Sequence, residues 1–122
     1  MGDAKYYVLL VSKNEPEKEV VIGRQEVVES VGEIRPILTR IPMLVTCSDE
    51  VELLVIKYRK ENGRQQILGA VSLRIKLKEK PPFTEKLVVL GMPEFDLEVE
   101  HSEGAEDLKD FIEGEVKNLL GM

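Results

Sequence analysis

The stretch that decides the fold is residues 51–78, which read VELLVIKYRKENGRQQILGAVSLRIKLK. Two β-rich runs, 51–60 and 64–78, flank the dipeptide Asn62-Gly63. Asn-Gly between such runs is the strongest short signal for a β-hairpin, because both turn residues must adopt positive φ. The stretch therefore predicts a hairpin with a two-residue loop.

The loop length also predicts which residues face each other across the hairpin. A two-residue loop pairs Tyr58 with Ile67 and, in the same register, Leu54 with Val71. Side chains alternate along a strand, so this register predicts one apolar face and one face that is half apolar and half basic. The second face comprises Leu53, Val55, Lys57, Arg59, Leu68, Ala70, Ser72, Arg74, Lys76 and Lys78.

Further strands are predicted on both sides of the hairpin from β-branched runs and turn residues. Gly23 interrupts one of these runs and predicts a bend or bulge. Pro36 and Pro42 cannot donate to a sheet ladder, so their segment is predicted as an edge strand or as two short strands. The seven predicted strands lie near 6–12, 19–30, 34–47, 51–60, 66–78, 86–90 and 95–100.

The last twenty residues predict one amphipathic helix, residues 103–120. Ser102 is a candidate N-cap and Gly121 a candidate C-terminal stop. Apolar residues recur at helical spacing and form one stripe, which must dock on the sheet. The stripe comprises Leu108, Phe111, Ile112, Val116, Leu119 and Leu120.

Length and composition predict a single domain over residues 1–122, with 43% hydrophobic and 33% charged residues. No apolar run is long enough for a spanning helix, and the start lacks the pattern of a signal peptide, so we expect a cytoplasmic protein. The net charge of −6 is segregated. Residues 57–86 carry nine basic and three acidic side chains, whereas residues 87–122 carry ten acidic and two basic ones. An acidic chain of this kind is not expected to bind nucleic acid.

The sequence offers few candidates for catalysis or metal binding. Cys47 is the only cysteine and His101 the only histidine, which excludes disulfides and Cys/His zinc sites within the chain. No Gly-rich phosphate loop and no G-x-S-x-G motif occurs. A Cys47–His101 pair is the one catalytic alternative, against a structural interpretation of Cys47 as a small core or rim hydrophobe. We expect no enzymatic activity, no cofactor, no metal and no small-molecule substrate.

The basic and apolar hairpin face is the candidate binding surface. Cationic side chains beside apolar ones commonly mark an interface with a protein or with anionic headgroups. The candidate residues are Lys57, Arg59, Arg74, Lys76 and Lys78, with Leu53, Val55 and Leu68. The alternative is that a second sheet covers Leu53, Val55 and Leu68 while the basic residues only surround them.

Seven strands followed by one C-terminal helix resemble the pleckstrin-homology (PH) superfold over almost the whole chain. The resemblance implies a mainly β fold, a seven-stranded antiparallel sandwich or partly open barrel capped by the helix. Lipid-binding members carry a K-x(n)-[KR]-x-R pattern in the first hairpin. Here Lys13, Lys18 and Arg24 lie in that hairpin without the K/R-x-R ending, so the usual phosphoinositide site is not expected and protein partners are implied.

The hairpin 51–77 also resembles the second half of a C2 domain, with Leu68-Gly69 where that family often has Ile-Gly. Calcium-binding C2 loops carry several aspartates. The corresponding loop here, residues 58–63, carries Arg59 and Lys60 instead. The alternative fold is therefore a C2-like β-sandwich that binds lipid or protein without calcium.

Within the PH superfold, the acidic layout is similar to the apicomplexan inner-membrane-complex sub-compartment proteins, which are small acylated scaffolds. That family is anchored through N-terminal acyl groups, whereas here Met1-Gly2 is followed by Tyr6 instead of Ser or Thr. The resemblance implies a noncatalytic scaffold that acts at a membrane-associated structure, mainly through protein contacts, with peripheral membrane contact as a further expectation.

Overall fold

Five antiparallel strands form one open sheet in the computed structural model, which describes residues 4–14, 19–77 and 95–122. The strands are β1 (Lys5–Asn14), β2 (Glu19–Val28), β3 (Glu50–Glu61), β4 (Arg64–Leu77) and β5 (Phe95–His101). Their order across the sheet is β2-β1-β3-β4-β5. The expectation of a mainly β fold with a C-terminal helix is confirmed, while the seven-stranded sandwich is not. The predicted strand 86–90 lies outside the described residues.

The segment 34–47 is helical, so the strand predicted there is wrong. A 3₁₀ turn (Val31–Ile34) leads into α1 (Arg35–Leu38) and α2 (Ile41–Cys47). Pro36 and Pro42 lie in the first turns of α1 and α2. An N–H has no intrahelical partner there, so proline is tolerated and its φ is already suitable for a helix. The prolines therefore start two short helices instead of breaking a strand.

The C-terminal helix is confirmed as α3 (Glu106–Leu119). Ala105, and not Ser102, is its N-cap residue. The Ser102 hydroxyl instead accepts a 2.8 Å hydrogen bond from the Ala70 N–H of β4. The predicted stop at Gly121 is confirmed: its φ is +73°, and Met122 N–H donates to the Lys117 carbonyl at 2.8 Å, as in a Schellman motif.

The core lies between one face of the sheet and the helices. We call this the covered face. Its buried apolar side chains from the strands are at most 8% exposed, and they form one cluster with apolar residues of the helical segments. The strand members are Tyr6, Val8, Leu10, Val28, Val51, Leu53, Val55, Val71, Leu73 and Ile75, and the helical members include Ile34, Leu38, Ile41, Val45, Ile112 and Val116.

The hairpin of β3 and β4 has the predicted turn but not the predicted register throughout. Asn62 and Gly63 have φ of +54° and +77°. The pairing Tyr58–Ile67 is confirmed, but the register shifts next to it, so that Lys57 pairs with Gly69 and Leu68 forms a bulge. Leu54 then pairs with Ser72 instead of Val71. The extra residue reverses which residues of β3 and β4 share a face.

Candidate functional site

The predicted binding residues do not form one surface. Lys57 pairs with Gly69, which lies against Ala105 on the covered side of the sheet. Arg74 pairs with Glu52 on the opposite side, which we call the open face. Arg59 is two residues from Lys57 and lies on the same side as Lys57, and Lys76 likewise lies on the same side as Arg74. The bulge therefore separates the four cations into two pairs on opposite sides. The prediction that they share a face is wrong.

The apolar residues predicted for the same surface have different positions. Leu53 and Val55 are 1% and 0% exposed, and both lie in the core beneath the helices. The prediction that they share a face with Arg74 is wrong, and the covering layer is made of helices instead of the second sheet considered as the alternative. Leu68 is half-buried at the bulge. Lys78 lies outside the described residues.

Arg74 and Lys76 belong to a group of paired charges that we call the charge network: Lys13, Glu50, Glu52, Arg74, Lys76 and Glu98. Arg74 Nε lies 3.3 Å from Glu50 Oε1 and 3.4 Å from Glu52 Oε1, and its Nη1 lies 3.6 Å from Glu98 Oε2. Lys76 Nζ lies 3.6 Å from the same Glu50 oxygen. Three cations and three carboxylates neutralise one another across four strands. This part of the surface is therefore not a cationic patch.

Lys13 completes the charge network from β1. Its Nζ lies 2.8 Å from Glu52 Oε1, and the two residues come from neighbouring strands. Glu50 is the most buried member, with a side chain only 15% exposed. Partly buried pairs of this kind are screened by salt less than fully exposed ones. The ion pairs of the charge network thus help to fix the register of neighbouring strands.

Most other side chains of the open face are apolar, with Lys5, Gln25, Ser72, Asp96 and Glu100 among the polar members. The apolar side chains come from β2, β1, β3 and β4 and lie in adjacent rows of the antiparallel register. Ile22 is 58% exposed and Val27 is 49% exposed. We call this surface the apolar patch: Val20, Ile22 and Val27 of β2, Tyr7, Leu9 and Val11 of β1, Leu54, Ile56 and Tyr58 of β3, and Ile67 and Ala70 of β4.

No patch residue belongs to the core cluster or to the half-buried residues packed against it. Within the described ranges, the helices contribute only to the covered face. Contiguous apolar surfaces of this kind, next to charged residues, mark interaction sites. The apolar patch is therefore a better candidate site than the surface predicted from the sequence.

The sequence did contain a signal for the apolar patch. Residues 6–11 read YYVLLV and residues 53–56 read LLVI, without alternating polar residues. A continuous apolar run is typical of a strand buried on both faces, whereas a strand with one solvated face alternates. By contrast, β5 does alternate: Phe95, Leu97 and Val99 are half-buried, and the acidic residues between them are exposed.

Of the other two predicted cations, Lys57 still pairs with Tyr6 of β1, whereas Arg59 lies in the tip of the β3–β4 hairpin. β1 pairs with β3 only as far as Tyr58, and β5 pairs with β4 only as far as Val71. The segment 59–66 therefore extends beyond the neighbouring described strands. It carries Arg59, Lys60 and Arg64 against Glu61 alone, and Arg59 Nη2 lies 3.7 Å from that carboxylate.

Cys47 and His101 belong to different elements. Cys47 is exposed at the end of α2, so the core position in its interpretation as a core or rim hydrophobe is wrong. His101 is exposed at the end of β5. Among the described residues, no three Asp, Glu, His or Cys side chains are grouped so that they could hold a metal ion.

Near His101, the backbone amides at the start of α3 lower the pKa of Glu106. The N–H of Glu106 itself has the largest effect, followed by that of Gly104, and the His101 charge acts in the same direction. A carboxylate held by the first N–H groups of a helix is an ordinary capping interaction. The shift is explained by the helix start and needs no catalytic role.

No family model, curated protein or solved structure matches this chain. The described helices are all too short or too polar to cross a membrane.

Proposed function

We propose that this chain is a noncatalytic protein-interaction module that binds its partner through the apolar patch on the open face. The carrying observation is that residues 6–11 of β1 and 53–56 of β3 are apolar on both sides, although the described helices cover only one side. These two segments have the composition of strands covered on both faces. A protein partner with an apolar contact surface would provide the second cover.

The geometry of the patch supports a protein in preference to an anionic membrane surface. A membrane-binding face would present unpaired cations. The cations that border the patch at its charge-network side, Lys13, Arg74 and Lys76, are already engaged by Glu50, Glu52 and Glu98. Burial of apolar area is therefore the main favourable contribution, about 25 cal/mol per Å² before the entropy lost on association is subtracted.

The experiment compares two lysine substitutions in full-length protein. Ile56→Lys places a charge in the middle of the apolar patch. Met43→Lys is the matched control, because Met43 is 64% exposed on α2, in the helical layer. Tagged wild-type and variant proteins are used to recover binding proteins, and each recovered protein is then purified and titrated by calorimetry.

We expect a partner whose affinity falls at least tenfold with Ile56→Lys and is unchanged with Met43→Lys. Chemical denaturation of the same variants provides a second readout. If the patch is not part of the core of one chain, Ile56→Lys leaves the free energy of unfolding of the monomer, measured at a concentration where wild type is monomeric, within about 1 kcal/mol of wild type. Equal loss of binding in both variants, or unfolding of Ile56→Lys alone, would overturn the proposal.

A second candidate function is peripheral contact of the hairpin tip with anionic lipid. It is favoured by the projecting cations of segment 59–66 and by Ile67, which is 68% exposed beside them. Co-sedimentation with phosphatidylserine vesicles, with calcium or chelator and at two salt concentrations, tests it. Binding that is calcium-independent and lost in Arg59→Glu/Arg64→Glu supports this function, and sedimentation equal to that with neutral vesicles contradicts it.

A PH-like architecture is part of the same proposal. An antiparallel sheet whose core is closed by the C-terminal helix supports it, because Leu108, Ile112 and Val116 of α3 are buried. The helices within residues 35–47 depart from the strand expected there. The C2-like alternative has no such closing helix and is therefore less well supported.

A further inference from the structure

We propose that the occupant of the open face is a second copy of this chain, packed sheet against sheet about a two-fold axis. This inference rests on the proposed function and names its partner. It also supplies the second layer that the PH-like sandwich requires, from a neighbouring molecule.

The size of the open face suits a stable dimer. Five strands about 4.8 Å apart, with about ten residues each at roughly 3.4 Å per residue, give a face of about 800 Å². Standard protein interfaces bury about 800 Å² on each partner. One copy of the same face therefore provides the area needed, without a further segment.

The charge on the face is compatible with self-association. The charge network contains equal numbers of cations and carboxylates, all paired within one copy. The face also carries Lys5 of β1 and Asp96 and Glu100 of β5, so its charges are of both signs. An apolar patch with a border of mixed charge does not require a partner of opposite charge.

The acidic residues of α3 lie on the far side of the molecule, whereas Asp96 and Glu100 of β5 lie at the edge of the open face, beside Lys76 and Ser72. Residues 103–122 carry six acidic and two basic side chains, which is −4 of the total net charge of −6. α3 packs on the covered face, with Ile112 and Val116 in the core. When two open faces meet, two sheets lie between the α3 helices, which are then about 30 Å apart. This distance exceeds the screening length of about 8 Å at physiological salt.

The distribution of large and small side chains on the face also allows the two copies to fit together. Ala70 and Ser72 of β4 are small, and they pair with the larger Ile56 and Leu54 of β3. A two-fold axis between β3 and β4 would place Leu54 and Ile56 of one copy over the small side chains Ala70 and Ser72 of the other. Interdigitation of this kind is how the inner faces of two aligned sheets pack.

The first test is the mass of the full chain in solution under reducing conditions, measured by light scattering over a range of concentrations. We expect twice the chain mass of 13.8 kDa for wild type and for Met43→Lys. We expect the single mass for Leu54→Lys, with a dissociation constant raised at least tenfold. A single mass for wild type at about 100 µM would overturn the inference, since stable dimers of this interface size bind more tightly.

A second test does not depend on a destabilising charge. In a Cys47→Ser background, Ser72→Cys places a thiol close to the proposed axis, and Met43→Cys places one on the opposite layer. We expect oxidation to cross-link Ser72→Cys into a disulfide dimer at least tenfold faster than Met43→Cys. Equal rates would overturn the inference.

The two proposals fail in different ways. If the chain is monomeric and Ile56→Lys still abolishes binding of a different protein, the second copy is excluded and the docking function is supported. If the chain is monomeric and no partner depends on Ile56, both proposals are overturned.

Discussion

Gly69 on β4 lies directly beneath Ala105 at the start of α3. A Cβ atom at Gly69 would come 3.0 Å from the Ala105 Cβ and 3.5 Å from its Cα. Ala105 is 3% exposed, so neither residue has free space beside it. This contact sets how closely the start of α3 approaches the sheet.

Gly69→Ala is expected to destabilise the fold, because the added methyl group must displace the start of α3. Overpacking of this kind costs about 1–3 kcal/mol. Combining it with Ala105→Gly should restore more than half of the loss, since the conflicting atom is removed. Urea denaturation of both single variants and of the double variant measures the coupling. Additive losses in the double variant would contradict the contact.

Gly114→Ala is expected to have the opposite effect. Gly114 lies within α3, is exposed, and has nothing within 4 Å of an added Cβ. Alanine in a helix interior is favoured over glycine by up to about 1 kcal/mol. The midpoint of thermal unfolding should therefore rise. An unchanged or lower midpoint would mean that Gly114 has a role that its open surroundings do not explain.

Replacing Arg74 by glutamate should weaken the sheet itself. The new carboxylate would face Glu50, Glu52 and Glu98, which now surround the guanidinium. Loss of attraction and new repulsion should together lower the free energy of unfolding by about 1–3 kcal/mol near neutral pH. Arg74→Lys, the control, should lose less. The difference between the two variants should shrink in acid, where the carboxylates are protonated.

Ile112 lies at the centre of the contact between α3 and the sheet and is 0% exposed. Ile112→Ala should lower the free energy of unfolding by about 2–5 kcal/mol, because it removes apolar contacts and leaves a cavity.

Deletion of residues 103–122 should abolish cooperative unfolding. A folded truncated chain would instead favour the C2-like alternative. Circular dichroism during thermal unfolding distinguishes the two results.

The pairing of Glu113 should make α3 sensitive to acid. Glu113 Oε1 lies 3.0 Å from Lys117 Nζ and Glu113 Oε2 lies 3.1 Å from Lys109 Nζ, each four residues away. Hydrogen bonds from Lys117 and then Lys109 lower the pKa of Glu113 below its ordinary value of 4.5, and Glu113 raises the pKa of Lys109. A carboxylate with a lowered pKa stabilises the fold above its unfolded-state pKa, and this is lost as the pH falls through the folded-state value.

Glu113→Gln should therefore lower the free energy of unfolding by under about 1 kcal/mol near neutral pH, where each pair contributes about 0.3–0.5 kcal/mol. The difference from wild type should shrink as the pH falls through the folded-state pKa of Glu113 and disappear below it. Denaturation at a series of pH values measures this. A difference that persists in acid would show that the side chain acts through packing instead of charge.

Local sequence patterns were sufficient for several elements. Asn62-Gly63 predicted the hairpin because few residue pairs adopt two consecutive positive φ angles. Alternation in Phe95–His101 predicted β5, and the apolar stripe ending at Gly121 predicted α3. Each of these signals lies within one element and depends on backbone geometry or on a single periodicity.

The segment 34–47 could not be assigned in this way. Pro36 and Pro42 are compatible both with a broken edge strand and with the first turns of two helices. The core decides between them, since Ile34, Leu38, Ile41 and Val45 are all fully buried when the segment is helical. Short apolar runs have no periodicity strong enough to predict that outcome.

Of all the features described, the candidate site was the one that could least be identified without the tertiary structure. The sequence by itself determined the hairpin turn, the two-sided apolar character of β1 and β3, and the segregation of charge along the chain. Only the folded sheet decided which residues share a face, because the single extra residue at Leu68 reverses the alternation along the paired strands. Only the folded sheet also brought Glu50 and Glu98 to Arg74, since pairing between distant strands, and not the order of residues along the chain, determines which charges meet.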